Sequence, residues 1–217
     1  MATAIPAKIM IITGLLGLTM ASGSFAKESG GGGSKASAGL EAGYHPFSQS
    51  WVPGEKDQAN YISRGAGWLF YLTSHEGPKS ALSFSVPTFA IWGDVLENTY
   101  VETDPSGAKS KEVIKSQGLG LGYVGHDPTT RIALSVLIGV ERMYIDQSGD
   151  TPRSQKYPYG FSSRLGLGYR AIAGTFAVDL KVDWRFKHFP STKSDSDSLK
   201  ALRQQSFSPV IGISFNK

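Results

Sequence analysis

Residues 176–187, FAVDLKVDWRFK, alternate without a break. One set of positions carries Phe176, Val178, Leu180, Val182, Trp184 and Phe186, and the other carries Ala177, Asp179, Lys181, Asp183, Arg185 and Lys187. Successive side chains of a strand point to opposite faces, so this segment is a strand whose two faces meet different surroundings. A helix would mix both sets around its circumference. Residues 157–170 repeat the pattern, with Tyr157, Tyr159, Phe161, Leu165, Leu167 and Tyr169 against Gly160, Ser162, Arg164, Gly166, Gly168 and Arg170. Residues 131–145 set Ile132, Leu134, Val136, Ile138, Val140 and Tyr144 against Arg131, Ala133, Ser135, Gly139 and Glu141, with Leu137 and Met143 blurring the second face.

Five weaker segments complete the series, at 35–45, 60–73, 80–92, 112–124 and 204–216; the third carries Leu82, Phe84, Val86, Ala90 and Trp92 on its apolar face. Eight strands of this length fit tilted crossings of a bilayer. Turn residues cluster at 74–79, 125–130 and 171–174, while longer polar stretches cover 46–59, 93–111, 146–156 and 189–203. All the long connections therefore fall at one end and all the short ones at the other, the layout of an up-and-down meander. The expected fold is all-β, an eight-stranded antiparallel transmembrane barrel occupying 35–217.

Volume decides which face points inward. An eight-stranded barrel has an interior only just filled by its own side chains, and large aromatics such as Trp68, Phe70, Trp92 and Trp184 would overfill it. The opposite set is rich in glycine, as in Gly118, Gly120, Gly122, Gly166 and Gly168, which suits a crowded lumen. The apolar set, including Phe84, Val136, Ile138, Leu165, Leu167, Val178, Leu180 and Val182, is therefore assigned to lipid. Tyr123, Tyr169 and Phe176 near the short turns, and Trp92, Tyr144, Tyr157, Tyr159, Trp184 and Phe186 near the long loops, would form two interfacial girdles. No backbone group in lipid can stay unpaired, so 204–216 must close on 35–45. The competing arrangement is a soluble secreted calyx, with the apolar set inside holding an apolar ligand.

The amino terminus reads as an address. Lys8, an apolar run over 9–18 and Ser24-Phe25-Ala26 give a signal peptide spanning 1–26, cleaved after Ala26. The KESGGGGS stretch over 27–34 would be a flexible leader. The absence of cysteine excludes a disulfide scaffold, a Cys-ligated metal centre, a thiol nucleophile and a Cys-linked lipid anchor. The formal charge of +4 is spread along the chain and gives no nucleic-acid patch.

With these segments in view, the chain resembles the small eight-stranded outer-membrane β-barrels of Gram-negative bacteria, such as the transmembrane domain of outer-membrane protein A. The resemblance is one of architecture across the mature chain and ends in QSFSPVIGISFNK, where Phe215 is followed by Asn216 and Lys217 instead of closing the chain. It implies residence in the bacterial outer membrane, contact with its lipid and lipopolysaccharide, insertion by the assembly machinery, a monomer, and no cofactor or metal. The inward set supplies Glu41, Glu141, Arg164, Asp179, Lys181, Asp183, Arg185 and Lys187, expected to pair as a salt-bridged plug; a porin-like gated bore is the functional variant. The expected role is structural or surface-interacting, through four long loops. Some barrels of this resemblance modify lipid A with His and Ser, Asp or Glu, and here a rim cluster of His45, His188 and Ser206 is the candidate, although parity puts His45 inward and His188 outward.

Overall fold

The computed structural model describes residues 35–53, 61–75, 88–101, 109–127, 129–148, 152–193 and 198–216. The signal segment over 1–26, the leader over 27–34, Phe84 and the 194–197 stretch lie outside them. Eight long strands form a closed barrel: β1 (Lys35–Trp51), β2 (Tyr61–His75), β3 (Thr88–Val101), β4 (Lys109–His126), β5 (Ile132–Ser148), β6 (Arg153–Ile172), β7 (Phe176–Phe189) and β10 (Leu202–Asn216). Each pairs antiparallel with its chain neighbour, and β10 closes on β1 with Leu40 opposite Ile213 and Ala38 opposite Phe215. Two dipeptide strands, β8 (Thr192–Lys193) and β9 (Ser198–Leu199), make a separate small ladder in the β7–β10 connection.

The alternation places its apolar set outward. Ile138, Leu167, Val182 and Ile211 are each more than half exposed, whereas all six residues of the charged set of β7 except its alanine are charged and every one of the six is buried. Val136, Leu165 and Leu180 also face out, and Val178 does so half-buried. A calyx with an apolar interior is thereby excluded, because ions occupy the place the ligand would need.

The glycines of the other face admit the one indole inside. A Cβ on Gly118, Gly120 or Gly139 would meet the Trp92 ring. At Gly39, the three atoms nearest an added Cβ all belong to the Tyr71 side chain, which lies across it from the paired position on β2.

Three expectations are corrected. The third strand, β3, runs on to Val101 instead of ending at 92, its expected 80–87 stretch lying outside the described residues, and the segment 93–111 is strand at both ends instead of a loop. Its faces are also exchanged: Phe89 and Ile91 face out while Ala90 and Trp92 are buried in the lumen. Tyr157 also turns inward, at 5% exposure, because a bulge opposite Glu141 and Met143 adds one residue to β6. Arg131 sits in the exposed β4–β5 turn and not on the lumen wall. Its left-handed φ of 59° lets its N–H donate to the Asp127 carbonyl at 2.8 Å, while Asp127 N donates to Ile132 O at 2.9 Å. A second bulge leaves Pro46 and Phe47 both outward while His45 and Ser48 stay buried.

Two predictions test this account. Gly39→Ala should destabilise the barrel by about 1–3 kcal/mol through overpacking, but far less in a Tyr71→Ala background; a double-mutant cycle of urea midpoints of the folded electrophoretic band checks the coupling. In the β4–β5 turn, the Asp127 carboxylate accepts from the Thr130 hydroxyl at 2.7 Å and from Thr129 N at 2.9 Å, and these bonds hold its pKa below the usual carboxylate value. Its stabilisation is complete above the unfolded-state value and is lost as pH falls through the lower folded one. The protection factor of the Thr129 amide should drop on acidification, and Asp127→Ala should abolish that step in hydrogen exchange.

Candidate functional site

The lumen holds the chemistry of this chain. Among the described residues, Glu41, Asp94, Glu141, Asp179 and Asp183 are buried carboxylates, and Arg164, Arg170, Lys181, Arg185 and Lys187 are buried cations. Five charges of each sign balance with His45 neutral. Such ions persist away from water only when paired and hydrogen-bonded, and the strands supply the pairing in three tiers.

Nearest the short turns, Arg170 on β6 grips Asp179 on β7 with two parallel bonds of 2.7 and 2.9 Å, and its third nitrogen meets His126 at 3.2 Å. In the middle tier, Glu41 on β1 accepts from Arg164 at 2.7 Å and from Lys181; Arg164 also meets Asp183. The tier nearest the loops centres on Asp94 of β3. Its two oxygens take Arg185, Lys187 at 2.8 Å and His45 at 3.0 Å. Lys187 reaches on to Glu141 at 2.5 Å, and Glu141 accepts the Trp92 indole N–H at 3.0 Å.

Apolar side chains seal this network. Leu96, Ile114, Met143, Ile145, Tyr157, Phe189 and Leu202 cluster on the loop side, with Val52 and Leu199 packed against them. The Tyr157 hydroxyl donates to Lys200 O at 3.3 Å and ties the last long connection to this cap. A second cluster of Leu69, Tyr71, Ala90, Trp92, Val124 and Leu137 lines the β2–β5 wall.

The eight charges singled out in the sequence, Glu41, Glu141, Arg164, Asp179, Lys181, Asp183, Arg185 and Lys187, all lie in this interior and are at most 4% exposed. Sequence reasoning missed its hub, Asp94, and with it Trp92. The signal is present in FAIWGDVL over 89–96, where the alternation runs on past Trp92 and puts Asp94 on the same face as Ala90. The candidate cluster of His45, His188 and Ser206 does not assemble. His188 lies on the other face, opposite Arg203 and Phe161, and Ser206 stands opposite Ser48 and Arg185. His45 instead bonds Ser208 through Nδ1 at 2.9 Å and Asp94 through Nε2. With Asp94 ionised, Nε2 carries the proton and Nδ1 accepts from the Ser208 hydroxyl. That connectivity is of the Ser-His-Asp kind. Ser208 is wholly buried and His45 is 1% exposed, so an acyl carbonyl has no room beside Oγ, and the histidine serves to join β10 to the ion network. No cluster of metal-ligating side chains occurs among the described residues.

No protein-family model and no curated protein matches the sequence. Solved structures do align with most of its length. Ail, the attachment invasion locus protein of Yersinia pestis, aligns over 83% of this chain and 99% of its own, at 13% identity and a TM-score of 0.45. The outer-membrane protein OprG of Pseudomonas aeruginosa aligns over 85% and 96%, at 12% identity and a TM-score of 0.44. Neisserial surface protein A aligns over 87% and 99%, at 14% identity and a TM-score of 0.40. The chain itself folds as an eight-stranded closed antiparallel β-barrel.

Removing the hub should expose its weight. Among the carboxylates of the described residues, Asp94→Ala leaves buried Arg185 with only the 3.8 Å contact to Asp183 and Lys187 with Glu141 alone, and should cost about 3–5 kcal/mol, whereas Lys111→Ala, which breaks the half-exposed Lys111–Glu97 pair of 3.0 Å, should cost about 0–1 kcal/mol. Urea midpoints of the folded barrel in detergent measure both.

Proposed function

We propose that this protein is a monomeric bacterial outer-membrane β-barrel that acts as a structural or surface-interaction protein, with its long-loop rim facing outward. The observation that carries the reading is the inverted distribution of side chains. A closed barrel that turns Leu121, Ile138, Leu167, Val182 and Ile211 outward, and keeps ten ions inside, is stable where the surroundings are hydrocarbon. In water, an apolar patch of that extent would drive aggregation.

The filled interior supports a closed plug in preference to a porin-like bore. Eight strands leave little space, and here three ionic tiers and an apolar cap occupy it. Function then falls to the connections at the long-loop rim, since surface loops on a rigid scaffold carry recognition. Partners in this reading are outer-membrane lipid and lipopolysaccharide, together with the machinery that inserts the chain. No cofactor enters it.

Cell fractionation and electrophoresis with and without boiling test the placement, and planar-bilayer recording tests the plug. The expected results are an outer-membrane band whose mobility changes on heating and no steady conductance. A soluble protein would overturn the membrane assignment; an ohmic pore would overturn the plug.

A further inference from the structure

Among the described strand side chains, the outward face carries Lys, Arg, Asp and Glu only toward the long-loop rim. Among the described side chains of the strands, Arg64, Lys111, Lys115, Arg142, Lys156 and Arg203 occupy outward positions toward the long-loop rim, against the outward carboxylates Glu97 and Asp146. Those two acids are already engaged, Glu97 with Lys111 at 3.0 Å and Asp146 with Lys115 at 3.1 Å. The surplus is cationic, and two of its members stand side by side.

The β6 bulge creates that pair. The extra residue at 158–159 sends Tyr157 into the lumen and leaves Pro158 and Tyr159 both exposed. Bulges at barrel rims re-aim side chains in this way. The Arg142 guanidinium lies 4.5 Å from the centre of the Tyr159 ring, and its Nη2 donates to the Tyr159 hydroxyl. On the neighbouring rung, Lys156 stands opposite Tyr144 with Nζ 5.6 Å above that ring. Cation–π contact holds each charge against an aromatic face without neutralising it. No carboxylate among the described residues pairs with Arg142 or Lys156. Directly below, toward the middle of the apolar belt, Val140, Ile138, Phe161 and Leu165 are exposed.

We propose that Arg142, Lys156, Tyr144 and Tyr159 form a binding site for the phosphomonoester of an outer-leaflet glycolipid, whose acyl chains lie over Val140, Ile138, Phe161 and Leu165. This deepens the reading above and rests on it, since that reading places the long-loop rim in the outer leaflet. Charge complementarity selects the occupant. A phosphomonoester carries about −1.5 to −2 near neutral pH, which two unmatched adjacent cations balance, whereas the phosphodiester of an ordinary phospholipid offers about −1. The planar guanidinium can take two phosphate oxygens at once, and the ammonium serves as a point charge beside it. The same site explains why tyrosines, with polar tips and apolar bodies, flank the cations at the boundary of the belt.

The test uses the full mature chain refolded in detergent and titrated with lipid A carrying two phosphomonoesters, with its dephosphorylated form, and with phosphatidylglycerol, read by native mass spectrometry. The expected order is tight binding of phosphorylated lipid A and about tenfold or greater weakening on dephosphorylation or in the double variant Arg142→Gln/Lys156→Gln. Arg142→Lys/Lys156→Arg should retain binding. Heat-modifiable mobility of each variant confirms that these exposed changes leave the barrel folded. Equal binding by the Gln variant or by dephosphorylated lipid A would overturn the site; equal binding of phosphatidylglycerol would overturn the glycolipid assignment. Failure of the unaltered chain to form a heat-modifiable barrel would instead defeat the outer-membrane reading itself, and this site with it.

Discussion

Everything in this barrel depends on backbone pairing that has no free edge. In the hydrocarbon setting proposed above, nothing offers a partner to an N–H or C=O, so the ladder between β1 and β10 is as necessary as any ladder between chain neighbours. Closure fixes the number of strands, the number of strands fixes the bore, and the bore decides what can be inside. Glycines follow as a consequence: where Trp92 enters, Gly118, Gly120 and Gly139 are the residues that give way. The Gly39–Tyr71 contact is the same accommodation between the neighbouring strands β1 and β2.

The ionic interior is a solution to a second constraint. Ten charges could not remain in so narrow a space unless they summed to nearly nothing and each found a partner. Asp94 makes the arrangement cooperative, since it joins β3 to Arg185 and Lys187 on β7 and to His45 on β1 across the barrel. Such a network says more about the specificity of the fold than about its stability. It favours one registration of the strands, because a one-residue slip would turn the charges of β7 toward lipid.

Period-two patterning made most of this legible from the sequence. β7 shows it best, where every residue from Phe176 to Lys187 falls on the face its parity assigns. Closure and the inward direction of the charges followed from volume and backbone satisfaction, with no motif needed. The failures are equally physical. Parity is a local rule that a bulge resets, and nothing in the string around Pro158 announces that Tyr157 and Tyr159 point to opposite sides. In the third strand the expected stretch stops at Trp92, which puts Asp94 in a loop and hides the hub of the lumen, whereas β3 continues to Val101. Of the two serines that the last strand offers beside His45, Ser206 and Ser208, the histidine takes Ser208, and β1 gains a residue near Pro46.

The strands run on past their apolar belt at the loop end. β5 leaves the belt at Val140 and continues as regular ladder to Ser148, and β4 begins at Lys109, well beyond the last exposed leucine at Leu119. At about 3.3 Å per residue, the eight residues after Val140 add roughly 26 Å of strand path, less once the tilt of the strands is counted. In the proposed membrane setting the barrel would be a palisade taller than the film around it. Its upper part would act as a stiff collar, so that an approaching macromolecule meets the ends of the strands at a fixed height above the headgroups.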